Sequence, residues 1–227
     1  LEADKKAALP GGLQPIPIHS RPRNEDQVLI PDSNSGAGEL VKKLVYEGAP
    51  WKEKTEKLRP KFERWSKLTG MTITNLNQIS GLGDNLHIYQ LHHVPMPKGF
   101  TDEDVKEIME TGEWSYAAIF RPRPVGSAVA HDLLALVDSY LEDAVKPSNK
   151  LKWVLLSAHD STISGVMSAL GAPLDARTRY ASDLNFALYK QGNDLSVHVT
   201  LNGEPVHFAG AKDGYCSLFD FKKVLND

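Results

Sequence analysis

The stretch Trp153 to Leu170, WVLLSAHDSTISGVMSAL, constrains the fold of this 227-residue chain more than any other. Trp153-Val154-Leu155-Leu156 is a short apolar run with the length and composition of a buried strand. Ser161 to Leu170 reads as a helix, because Ile163, Val166, Met167 and Leu170 fall at helical spacing. His159 and Asp160 stand between the two, at the end of the strand and the start of the helix. An open α/β sheet places ligands at that point. Free backbone N–H groups and the positive end of the helix dipole favour an anion there. A His beside a proton-carrying Asp suggests phosphate chemistry: Asp160 can protonate a leaving alcohol while His159 binds a phosphoryl oxygen. The plainer alternative is that Asp160 or Ser161 only caps the helix. Position favours neither over the other.

The rest of the chain supplies a frame around this element. Residues 1–8 read as the last turns of a helix halted at Leu9-Pro10-Gly11-Gly12, and Gln14 to His19 is held extended by its prolines. Ser20 to Pro31 reads as a loop or short strand, with Gln27 to Ile30 its most strand-like part, and Asp32 to Gly36 has turn chemistry. Glu39 to Thr69 is charged and helical, interrupted at Gly48-Ala49-Pro50. A second helical group runs through Asn85 to Leu91 and Thr101 to Glu110, where Thr101 and Asp104 form a capping-box pattern. Ala128 to Leu141 is an amphipathic helix. Asn185–Tyr189 and Leu195–Leu201 read as a hairpin around Gln191 to Asp194, followed by a short helix over Leu218–Leu225. The organisation expected is an α/β core of 1–31 and 113–227, with a mostly α lobe of 32–112 inserted over the site.

Composition excludes several classes. A net charge of −3 gives no electrostatic case for nucleic acid or an anionic membrane surface. No run of about 18 apolar residues exists to cross a bilayer as a helix. Cys216 is the only cysteine, so neither a disulfide within the chain nor a zinc–cysteine cluster can form. The second His-Asp pair, His131-Asp132, falls inside the amphipathic helix and reads as solvated surface. Adjacent His92-His93 point apart in either a strand or a helix and do not build a metal site with it. Trp51, Trp65, Tyr89 and Trp114 suit packing as well as recognition.

Ser157-Ala158-His159-Asp160-Ser161-Thr162, with Ser164-Gly165, resembles the C-terminal signature of the histidine acid phosphatases, branch 2 of the histidine phosphatase superfamily. Gln14-Pro15-Ile16-Pro17-Ile18-His19 with Glu25 to Leu29, Phe120 to Leu134, Tyr180-Ala181-Ser182 with Leu188-Tyr189, and Gly210 to Phe221 resemble further segments in the same order. The resemblance spans essentially the whole chain. It implies an α/β fold of the phosphoglycerate-mutase-like type, a mixed sheet flanked by helices. It also implies phosphomonoester hydrolysis through a phosphohistidine, with no metal and no cofactor. Carried over, His159 is the phosphate ligand and Asp160 the general acid. The substrate would be a small-molecule or phosphoprotein phosphomonoester, and the compartment secreted, periplasmic or lysosomal.

The chain departs from that pattern in one respect that bears on activity. The family's Arg-His-Gly-x-Arg-x-Pro segment, which carries the nucleophile and phosphate-binding arginines, occurs nowhere in the 227 residues. Ala187 also stands where many relatives carry glutamate, and Cys216 lacks the partner that relatives often give it. Three expectations follow. The chain is a fragment of a longer acid phosphatase. Or it is a truncated relative that binds a phosphorylated ligand or partner without hydrolysis. Or it joins a partner chain that supplies the missing segment, with a homodimer the default association. As it stands the chain is not expected to be active.

Overall fold

The computed structural model describes residues 16–30 and 35–226. The helix expected over 1–8, Gln14-Pro15 and most of the turn at 32–36 lie outside the described residues. Helix α1 (Ser35–Val41) continues through a π-helical turn (Lys42–Tyr46) into α2 (Ala49–Thr69). The break expected at Gly48-Ala49-Pro50 therefore marks a helix start: Gly48 is the N-cap and Pro50 sits in the first turn, where its missing N–H costs nothing. Helix α3 (Leu76–Leu91) begins well before the expected Asn85. Asn75 caps it, its side chain accepting from Asn77 and Gln78 N–H, while the Gln78 side chain accepts from Asn75 N–H. The Thr101/Asp104 capping box opens α4 (Asp102–Phe120) as the pattern predicts, but the helix runs two turns and more beyond Glu110.

Apolar residues at helical spacing on these elements form one core. Trp51, Leu58, Phe62 and Trp65 of α2 meet Leu76, Ile79, Leu82 and Leu86 of α3 and Val105 and Ile108 of α4. Trp51 and Trp65 are thus packing residues, Trp114 packs partly against them, and Tyr89 is exposed. Asp104 secures the seam. Its carboxylate accepts from Thr101 N–H at 3.0 Å, from the Trp65 indole at 3.0 Å, and from the Arg64 guanidinium. Burial by itself would raise the Asp104 pKa, but these three donors override it and hold the group well below the usual carboxylate range.

Helix α5 (Arg123–Ala144) and α6 (Asp160–Ala169) pack on a four-stranded sheet with α7 (Leu218–Asn226). The expected hairpin is present: β1 (Leu184–Gln191) pairs antiparallel with β2 (Asp194–Leu201), in register from Leu184 opposite Leu201 to Gln191 opposite Asp194. The other edge of β2 carries β3 (Glu204–Pro205) and β4 (Tyr215–Ser217). Val197 and Val199 point inward from β2 onto Leu134, Val166, Leu170 and Phe221. The class is α/β, helices over a small sheet with a helical lobe, consistent with the phosphoglycerate-mutase-like reading. Among the described residues the sheet is antiparallel throughout.

One strand expectation does not hold among the described residues, and the segment read as loop or short strand is a turn. Gln27–Leu29 forms a turn, stabilised by the Asp26 carboxylate accepting from Val28 and Leu29 N–H. Trp153–Leu156 is extended but unpaired, with Trp153 71% and Leu155 77% exposed; only Leu156 packs on the core. The cause is the same in both. An apolar or β-branched run becomes a strand only where another strand accepts its hydrogen bonds, and none of β1 to β4 lies against either segment.

Candidate functional site

Asp160 owes its position to the helix it begins. His159 is the N-cap of α6, with extended φ −126° and ψ 165°. Its backbone N–H donates to Thr162 Oγ1 at 3.2 Å, and the buried Thr162 hydroxyl donates on to the Leu29 carbonyl at 2.6 Å. This reciprocal cap ties the start of α6 to the turn at 26–29, so those residues brace the site without forming a strand. Asp160 is then the first residue of the helix, and its Oδ1 accepts from Ser161 N–H at 2.8 Å. The helix-cap role and the position suited to chemistry are therefore both present at once.

The floor beneath α6 comes from small residues. Gly165 faces α5, where a Cβ placed on it would stand 2.4 Å from Val129 Cγ1, while the buried Ser164 lies beside Tyr116 of α4. On the opposing helix a Cβ on Gly126 would stand 2.4 Å from Ser168. The two helices therefore interlock, Val129 against Gly165 and Ser168 against Gly126, so their backbones approach closely.

The Asp160 side chain is two-thirds buried and faces the helical lobe. Its Oδ2 accepts from Arg177 Nη1 at 3.1 Å, Arg177 being in the loop between α6 and β1. Ser80 and Asp84 of α3 and Glu113 of α4 reach the same guanidinium. Nη2 donates to Ser80 Oγ at 3.3 Å, Asp84 Oδ1 lies 3.8 Å from Nη1, and Glu113 Oε1 lies 3.9 Å from Nε. Glu113 also accepts the Arg177 backbone N–H at 2.9 Å. The guanidinium lies over the Tyr116 ring, 4.1 Å from its centroid, a cation–π contact. Burial first, and then the negative charge of Asp160, push the Tyr116 phenol far above its ordinary value, so it stays protonated. The Tyr116 hydroxyl lies between Ser164 and Asp160, and Arg177 Nε is buried with the Glu113 carboxylate 3.9 Å away.

His159, one residue away, has an exposed side chain at the helix start. The sequence-predicted pair is thus placed side by side, one member held from below and the other open to solvent. His131 and Asp132 sit on the exposed face of α5, 2.9 Å apart and away from this cluster. Among the described residues no group of three or more His, Cys, Asp or Glu is arranged to hold a metal. Cys216 is buried in β4, opposite Val197, and burial, then the Asp220 charge, push its thiol up to about 11. That makes it a small apolar packing residue. Arg177, Asp84, Glu113, Ser80 and Tyr116 were not legible as site residues, because they come from two lobe helices and an aperiodic loop. The Ser164-Gly165 part of the signature was the only pointer to the close packing.

The chain is 26% identical over 200 residues to prostatic acid phosphatase of Bos taurus, covering 84% of this chain and 51% of that protein. It is 26% identical over 227 residues to lysosomal acid phosphatase of Xenopus laevis, covering 93% of this chain and 52% of that protein. Human prostatic acid phosphatase is 24% identical over 203 residues, 86% of this chain and 52% of that protein. Its relatives are acid phosphatases. The resemblance to the histidine acid phosphatases read from the sequence is borne out by these matches, although no family model matches the chain. The chain spans about half the length of the curated relatives it matches. No helix among the described residues is long and apolar enough to cross a membrane.

Proposed function

We propose that this chain forms the general-acid side of a phosphomonoesterase active site. The observation that carries the reading is the placement of Asp160. Its carboxylate lies at the N-terminal end of α6, between the Ser161 N–H and the lobe helices, with an exposed histidine beside it. Residues 32–112 act in this reading as the lobe over the leaving group. The phosphoryl group sits at the start of α6, where backbone dipoles favour its charge, and His159 donates to one of its oxygens. As the P–O bond to the leaving alcohol breaks, the Asp160 proton passes to the ester oxygen and the alcohol departs neutral. The phosphorus is taken up by a histidine of the kind the Arg-His-Gly segment supplies in the family, and water then releases inorganic phosphate.

Asp160→Asn tests the assignment in a full-length parent that carries the Arg-His-Gly segment. Turnover of alkyl phosphates should fall by about 10²-fold or more, while aryl phosphates, which leave without full protonation, should lose much less. Unchanged alkyl turnover would remove Asp160 from the acid role. His159→Ala should raise the inhibition constant for inorganic phosphate; an unchanged constant would take it out of the site. The binding-only alternative rests on the absence of Arg-His-Gly from these 227 residues. Hydrolysis that Asp160→Asn abolishes would exclude that alternative and contaminating phosphatase together.

A further inference from the structure

Arg177 joins Asp160 to groups on α3 and α4. Its guanidinium contacts Asp160 of α6, Ser80 and Asp84 of α3, Glu113 of α4, and the face of Tyr116. Its side chain is 22% exposed although it comes from an irregular loop. A planar fork with five donors can serve several oxygens in fixed directions, which a lysine cannot. The contacts are unequal in kind. The short bond is to Asp160, while Asp84 and Glu113 stand nearly 4 Å off and balance the cation from the lobe side. Asp160 also accepts from the N–H of the next residue, and the Tyr116 phenol of α4 lies beside it. Among the described residues Arg177 is the group that joins Asp160 Oδ2 to α3.

We propose that Arg177 is a positioning residue, which aims the Asp160 carboxyl at the leaving-group oxygen and ties that aim to the helical lobe through α3 and α4. The inference rests on the general-acid reading above. Arg177 touches no substrate in this scheme; it acts through Asp160. The spacing on α3 supports the coupling, since Ser80 and Asp84 are one helical turn apart and face the same guanidinium. A displacement of α3 therefore moves Oδ2 directly.

The test compares Arg177→Met and Arg177→Lys with Asp160→Asn in a full-length parent that contains this chain and the Arg-His-Gly segment, against an alkyl phosphate and 4-nitrophenyl phosphate. Arg177→Met should lower kcat on the alkyl phosphate about tenfold, since a carboxyl out of line by an ångström loses that much or more. It should change 4-nitrophenyl phosphate turnover less than about threefold and leave KM within about twofold, with Arg177→Lys recovering part of the alkyl activity. Equal losses on both esters, or a loss confined to KM, would overturn the proposal. Harmless Arg177→Met beside damaging Asp160→Asn would overturn this proposal alone and keep the general-acid reading. Harmless Asp160→Asn would overturn that reading instead. A crystal structure of Arg177→Met gives a readout independent of turnover: Oδ2 should leave its place, and a carboxylate that stays where it is overturns the proposal.

Discussion

The seat of α6 depends on two glycines, and replacing one of them should reverse the usual effect of alanine. Glycine in a helix interior costs roughly 0.5–1 kcal/mol relative to alanine, so Gly→Ala in a helix ordinarily stabilises. Gly81 is the reference. It lies within α3 and a Cβ there meets nothing within 4 Å. Gly81→Ala should therefore gain about 0.5–1 kcal/mol. Gly126 of α5 is the test. Its Cβ would stand 2.4 Å from Ser168 Cβ and 2.7 Å from the Ala169 backbone nitrogen, and the backbone contact cannot be relieved by a rotamer change. Overpacking of this kind costs about 1–3 kcal/mol. Set against the propensity gain, Gly126→Ala should lose about 1–2 kcal/mol. For a chain of this size that is a fall of about 2–8 °C in melting temperature, against a rise of about 1–4 °C for Gly81→Ala. Thermal unfolding followed by circular dichroism measures both. If Gly126→Ala raised the melting temperature as Gly81→Ala does, α5 and α6 would not be in contact as described, and the positioning of Asp160 would need another cause.

Three further outcomes are expected. Asp104→Asn should destabilise the lobe by about 2–3 kcal/mol, because it weakens charge-assisted bonds to Trp65 and Thr101 and removes the charge that pairs with Arg64. The Asp104 pKa is lowered on folding, so its contribution is complete above the unfolded value of about 3.9 and is lost as pH falls below it. Melting temperature between pH 5 and 3 should accordingly drop more steeply for the wild type than for Asp104→Asn. Cys216, buried and with its thiol raised to about 11, should resist a thiol reagent at pH 8 in the native protein and react once unfolded; rapid native labelling would contradict its place in β4. Trp153, 71% exposed, should contribute a red-shifted, readily quenched emission that disappears in Trp153→Phe; a blue-shifted, protected component would mean that something covers the segment.

Much of the architecture was legible because it is written in local patterns. Periodicity announced α5, the Thr101/Asp104 pair announced the start of α4, and the turn at Gly192-Asn193 announced the hairpin. Trp153–Leu156 shows where such patterns stop. Apolar composition states that a segment can be buried, but burial needs a neighbour, and sequence alone does not say whether one is in place. Asp104 shows the same limit inside a correct reading. Its cap partner is three residues away and was visible, whereas Trp65 and Arg64 lie 39 and 40 residues back and became partners only through the packing of α2 on α4.

The candidate site divides along that line. Its His-Asp pair is contiguous and carries a signature, so it could be named from residues alone. What turns Asp160 from a helix-capping carboxylate into a candidate acid is non-local: Arg177 lies 17 residues on, and Ser80 and Asp84 reach the same guanidinium from a helix that runs in the other lobe. A surface cap of this kind needs only the Ser161 N–H and would remain solvated. Asp160 is instead two-thirds buried, with a guanidinium, a protonated phenol and a buried serine hydroxyl around it. Polar groups are costly to bury without partners, and capping a ten-residue helix requires none of them. Their concentration at this one carboxylate is the physical reason to assign it a task beyond holding the helix end.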